Sequence, residues 1–151
     1  MNKIRIFLDT SVIGGCYDLE FAKYSNALFE KFFNNELIPA ISTTVVDELT
    51  DAPPEVKNKI QSLKNLIIIN ITDDIIELAK LYLKRAIITE KYFDDALHIA
   101  TATINKIDVL VSWNFRHIVN LQKIHLFNSV NIAENYSALE IRTPMELLND
   151  N

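Results

Sequence analysis

The stretch Ile6-Phe7-Leu8-Asp9-Thr10-Ser11 constrains the fold more than any other part of the chain. An apolar run this short, rich in Ile and Phe, reads as a fully buried parallel strand rather than an amphipathic helix. It stops at a carboxylate, so Asp9 falls at the strand's carboxyl end. In open α/β sheets that edge is where ligands bind. Asp before Thr-Ser is also a good helix cap, and for Asp9 alone the cap is the better reading. The functional reading depends on whether other carboxylates reach the same edge.

Gly14-Gly15 reads as a turn signal after this strand. Phe21, Ser25, Leu28, Phe29 and Phe32 then recur at helical spacing, which predicts an amphipathic helix over 19–33. Its Phe-rich stripe is core or a dimer face. A second strand is expected at 37–41, with Pro39 suggesting an unpaired or terminal position. Ser42-Thr43 suit the N-cap of a helix through Thr50 that carries Glu48. Pro53-Pro54 suit the first turn of the next helix, striped by Val56, Ile60 and Leu63.

Leu66 to Ile69 reads as a third strand, and Thr72-Asp73-Asp74 opens another helix with favourable acids in its first turn. The next helix is expected over 92–105, with Asp94 and Asp95 in its first turn. Val109 to Val111 reads as a fourth strand, followed by Ser112-Trp113-Asn114. A short helix is predicted over 118–124 and a fifth strand near 126–130. Thr143-Pro144-Met145-Glu146 is a capping box with Pro at the first helical position. Strands alternating with helices imply βαβ units and a parallel sheet covered on both faces.

With 151 residues, 49% of them hydrophobic, the chain fits a single domain spanning 1–151 with a real core. Two Gly and four Pro leave no linker or low-complexity segment. The lone Cys16 excludes an internal disulfide and fits a reducing compartment. No segment is long enough to span a membrane and no signal peptide is seen, so a cytoplasmic location is expected. The net charge of −5 argues against a protein that coats nucleic acid non-specifically.

The polar residues expected at the ligand edge are Asp9, Glu48, Asp94, Asp95, Ser112 and Asn114. Three or four acids in one crevice repel one another and persist only if protonated or metal-bound. An oxygen-only set selects a hard cation, Mg²⁺ or Mn²⁺. No Cys/His spacing resembles a zinc site.

The motifs Phe7-Leu8-Asp9-Thr10-Ser11, Val46-Asp47-Glu48-Leu49, Asp95-Ala96-Leu97-His98-Ile99-Ala100-Thr101-Ala102 and Val111-Ser112-Trp113-Asn114-Phe115 together resemble the ordered motifs of the PIN-domain family, which includes the VapC-type ribonuclease toxins. The resemblance runs over nearly the whole chain. It implies a three-layer α/β/α sandwich around a mostly parallel sheet of about five strands. It also implies a Mg²⁺- or Mn²⁺-dependent nuclease site, an RNA substrate, an antitoxin partner and a homodimer.

Matched by motif, Asp9 and Asp95 would be direct metal ligands, and Glu48 would ligate or orient the attacking water. Asp94 and Asp95 cannot both aim at one ion, because successive helical residues point ~100° apart. Asn114 falls where many members carry a fourth acid. An amide there ligates through its carbonyl or holds a water, and one tightly bound ion is expected. Thr10 or Ser11 would fix the Asp9 carboxylate, with Ser112 beside it. Arg116 and His117 would meet phosphate, or form a solvated loop face.

Trp113 reads as packing before a base-stacking surface. His98 reads as a satisfied helix histidine, or as a partner for a site acid. His125 has no identifiable partner. Two other readings stand beside the nuclease. One is a PIN scaffold without activity, favoured by Asn114. The other is a phospho-accepting receiver domain, disfavoured because only one Asp follows the first strand, Asn70 follows the third, and no Lys directly follows Val130.

Overall fold

β1 (Arg5–Leu8) is the middle of a five-stranded sheet, and Ile6, Phe7 and Leu8 are fully buried, as a strand covered on both faces requires. The computed structural model describes residues 3–149. β1 is flanked by β2 (Ile38–Ser42) and by β4 (Val109–Val111), with Ile6 opposite both Pro39 and Val109. β3 (Ile67–Ile69) lies outside β2, and β5 (Glu140–Arg142) lies outside β4. All four pairings are parallel, in the order β3-β2-β1-β4-β5. The strand order therefore reverses at β1, opening a crevice at the carboxyl ends of β1 and β4.

Eight α-helices cover the sheet among the described residues: α1 (Thr10–Gly15), α2 (Ala22–Phe33), α3 (Thr43–Glu48), α4 (Pro54–Gln61), α5 (Asp73–Lys84), α6 (Phe93–Ile104), α7 (Leu121–Ala133) and α8 (Pro144–Leu148). α6 packs against α5 and α3, and α7 against α5. α2 packs against α1 and α8, and α1 against α4. These two groups form the outer layers of a three-layer α/β/α sandwich. The aromatic stripe of α2 is core, with Leu28, Phe29 and Phe32 all buried. A buried network ties α5, α6 and α7 together, with the Tyr82 hydroxyl donating to Asn131 and Asn131 Nδ2 donating to Thr103. The capping box forms as expected, Thr143 Oγ1 accepting from Glu146 N–H at 3.1 Å while Glu146 returns the bond at 2.9 Å.

Four expectations are corrected. The residues near 126–130 are helical, inside α7, where Phe127 and Val130 face the core three residues apart and Asn120 caps the start. The fifth strand is instead β5, of which only Ile141 points inward. Gly14-Gly15 is the last turn of α1 rather than a loop. β2 is an interior strand despite Pro39. Ile38 N–H bonds to Ile4 on the β1 side, so alternation turns the Pro39 nitrogen toward β3, whose pairing starts only at Ala40. The helix expected through Thr50 ends at Glu48, and a 3₁₀ turn covers Leu49–Asp51.

Four helices end on a left-handed residue that is not glycine: Asn35, Ala86, Lys106 and Asn135. At each, the next N–H reaches back to the last helical turn, as from Ile87 to the Tyr82 carbonyl. The chain accepts a Cβ where glycine is the usual solution.

Candidate functional site

Asp9 is both a helix cap and the hub of the crevice. Its Oδ1 accepts from Ser11 Oγ at 2.7 Å and from Val12 N–H at 3.2 Å, and its Oδ2 accepts from Ser112 Oγ at 2.6 Å. Each serine hydroxyl in turn accepts a backbone N–H, Ser11 from Trp113 at 2.9 Å and Ser112 from Asn114 at 2.8 Å. The β1–α1 turn and the loop after β4 are thus stitched together through one carboxylate. Asp9 is only 4% exposed. Burial pushes its pKa up, against the opposing pull of the Ser112 bond and the nearby His98.

Glu48 comes from the end of α3 and is the most open of the three acids. Its Oε1 accepts from Thr10 Oγ1 at 2.7 Å and from His98 Nε2 at 2.9 Å. Thr10 therefore holds Glu48, while Ser11 and Ser112 hold Asp9. His98 lies one turn beyond Asp95 on α6 and is 1% exposed. Of the two readings of His98, the structure selects the partner of a site acid. Burial alone would lower the His98 pKa, but the bonded Glu48 carboxylate, with Asp9 and Asp95 behind it, outweighs burial and raises it. The same contact, with Thr10, overcomes the burial of Glu48 and lowers the pKa of that acid.

Asp95 is half-buried in the first turn of α6, while its neighbour Asp94 faces solvent. Its pKa is pushed up to about 6, first by burial and then by the charges of Asp9 and Glu48, against the pull of His98. Asn114 Nδ2 donates to Asp95 Oδ2 at 3.2 Å. Asn114 Oδ1 accepts the His117 N–H at 3.0 Å, so the amide presents a donor to the site and its carbonyl is not free to ligate a cation.

Arg116 is exposed beside Asn114, its guanidinium 5.8 Å from the Tyr92 ring centre. His117 is neither on a solvated loop face nor free to meet phosphate: it is 9% exposed and packs with its ring 4.0 Å from that of Tyr92. Trp113 is packing too, stacked on Phe21 at 4.4 Å with its Nε1 donating to Ser25 Oγ at 2.9 Å. His125 and Asp47 face solvent.

The donor set consists of carboxylate oxygens. Among the described residues, Glu48 Oε2 and Asp95 Oδ1 keep no protein partner. The charges of Asp9 and Glu48 add to the ionisation cost of Asp95, and carboxylate oxygens match a hard divalent cation in chemistry and charge. Among the described residues no three His, Cys, Asp or Glu side chains converge closely enough to enclose one ion. The set fits the cation in kind and is wider than a closed coordination shell.

No family model and no curated protein matches the chain. Solved structures do. A toxin–antitoxin complex from Klebsiella pneumoniae aligns with a TM-score of 0.59 and 18% identity over 78% of this chain and 93% of that one. VapBC2 from Rickettsia felis, bound to a DNA fragment from its promoter, aligns at 0.58 and 17% over 93% of this chain and 98% of that one. VapC20 from Mycobacterium tuberculosis, a sarcin–ricin loop cleaving toxin, aligns at 0.55 and 19% over 74% and 92%. In fold, the chain is a PIN-like α/β/α sandwich of the kind these VapC-type structures share.

Proposed function

We propose that this chain is a Mg²⁺- or Mn²⁺-dependent endoribonuclease and the toxin of a toxin–antitoxin pair. One observation carries the reading: Asp9, Glu48 and Asp95, from three separate segments, all lie within electrostatic reach of the buried His98. The likeness in fold to VapC-type structures supports it. Asp9 and Asp95 would hold the cation, and Glu48 would hold it or orient the attacking water. When bound, the cation neutralises charge on the phosphoryl oxygens and makes water more acidic.

The protein's own part is positioning. Thr10 and His98 fix Glu48 Oε1, which leaves Oε2 to accept a hydrogen bond from water. Ser11 and Ser112 hold Asp9 in place, a restraint of the kind that sustains ligand geometry. Arg116, exposed beside the site, contacts a phosphate of the RNA. Residues 1–151 act as one domain, in the cytoplasm, as a homodimer that an antitoxin protein neutralises. No helix of the described residues is long and apolar enough to cross a membrane.

A scaffold without activity is the second reading. The spacing of the acids, too wide for three to enclose an ion, favours it. The test is cleavage of a mixed RNA pool with Mn²⁺ or Mg²⁺, beside chelator and an Asp95→Ala control. Cutting that needs metal and vanishes in the variant supports the nuclease. No cutting and no metal binding would leave the scaffold.

A further inference from the structure

Every polar atom of Asn114 is committed. The backbone N–H donates to Ser112 Oγ at 2.8 Å, and the backbone carbonyl accepts from Ile118 at 3.1 Å and Val119 at 2.8 Å. In the side chain, Oδ1 accepts from the His117 N–H and Nδ2 donates to Asp95 Oδ2. A backbone N–H can only donate and an ionised carboxylate can only accept, so the amide has one orientation that satisfies both neighbours. Turning the oxygen toward the crevice would break two bonds at once.

We infer that Asn114 is a positioning residue that holds the Asp95 carboxylate by an N–H in place of a cation, so that Asp95 keeps its place without metal and the site takes one divalent ion. The inference rests on reading the three acids as a cation site. The spacing of the bonds explains it. A carboxylate at position 114 could keep the His117 bond, but its second oxygen would then face Asp95 Oδ2 at the 3.2 Å now spanned by a hydrogen bond. Two like charges at that distance persist only with a counter-ion or a shared proton between them, and at pH 8 the proton is the harder one to keep. The amide removes both the repulsion and the second site.

Asn114→Asp and Asn114→Leu test this, by melting in chelator at pH 8 and by Mn²⁺ titration calorimetry. Asn114→Asp preserves shape and the His117 bond while adding charge. Asn114→Leu removes both bonds without charge. The wild type is expected to bind one Mn²⁺ per chain. Asn114→Asp is expected to melt several degrees lower in chelator, to recover in saturating Mn²⁺, and to bind a second ion. Asn114→Leu is expected to bind its ion about tenfold more weakly, the scale at which partners of metal ligands act, and to recover no stability with Mn²⁺. Two ions on the wild type, or Asn114→Asp melting with the wild type in chelator, would overturn the inference. A wild type that binds no Mn²⁺, with the Asn114→Asp deficit in chelator intact, would overturn the cation reading and still support the brace.

Discussion

Asp95→Asn should make the metal-free protein more stable, and only at neutral and higher pH. Asp95 has an ordinary pKa of 3.8 and a folded value of about 6. A raised acid favours the folded state only while protonated. Its contribution is complete below the ordinary value and is lost as pH rises through the folded value. At pH 8 the folded protein therefore carries the whole cost of an ionised Asp95. A shift of about two units corresponds to ~3 kcal/mol. Asp95 is only half-buried, and solvent screening brings this down to ~1–2 kcal/mol.

Asparagine removes the charge and keeps a carbonyl to accept the Asn114 Nδ2 bond. For a chain of this size, that gain raises the melting temperature by roughly 3–6 °C. The assay is thermal unfolding in chelator at pH 8 and pH 4. The variant should gain at pH 8, show no gain at pH 4, and lose the stabilisation that Mn²⁺ gives the wild type. An equal change at both pH values, or a less stable variant at pH 8, would refute the reasoning.

The two glycines of α1 should respond oppositely to alanine. A Cβ on Gly14 meets nothing within 4 Å, so Gly14→Ala gains the helix preference of alanine, ~0.5–1 kcal/mol in urea unfolding. A Cβ on Gly15 would lie 2.7 Å from Ser25 Oγ and 3.0 Å from Trp113 Nε1, so Gly15→Ala should cost ~1–3 kcal/mol and change the fluorescence of the lone tryptophan. His98→Phe keeps a ring in the core and removes the Nε2 bond to Glu48. It should lower kcat for RNA cleavage by roughly 10–100-fold, with the circular dichroism spectrum unchanged. Full activity in that variant would remove His98 from the positioning scheme.

The sequence made the sheet legible where strands are short, apolar and bounded, as at Ile6–Leu8 and Val109–Val111. It misled where a segment's local character opposed its place in the fold. Leu126 to Val130 is apolar enough to pass for a strand, yet the real signals were the Asn120 cap and the three-residue spacing of Phe127 and Val130. β5 was hidden because an edge strand flanked by Glu140 and Arg142 keeps only Ile141 inside, and charge at an edge guards against unwanted pairing.

In the site, the linear order of motifs was enough to select Asp9, Glu48, Asp95, Ser112 and Asn114 as the residues to watch. The pairings among them were legible only in part: Ser11 and Ser112 were expected beside Asp9, but so was Thr10. Which hydroxyl serves which acid depends on how α1 meets α3, so Thr10 went to Glu48 and Ser11 to Asp9. The Glu48–His98 bond links residues fifty apart in sequence, across α3 and α6. The direction of the Asn114 amide was set by a backbone N–H three residues on.

A metal-dependent nuclease here requires Asp9, Glu48 and Asp95 to act as one cation site. Mn²⁺ titration calorimetry on the wild type, Asp9→Asn, Glu48→Gln and Asp95→Asn tests that most directly, each variant first checked for folding by circular dichroism. One ion bound by the wild type is expected, with an affinity loss of about tenfold or more in every folded variant. Mn²⁺ binding that survives unchanged in all three variants, or no binding by the wild type, would contradict it.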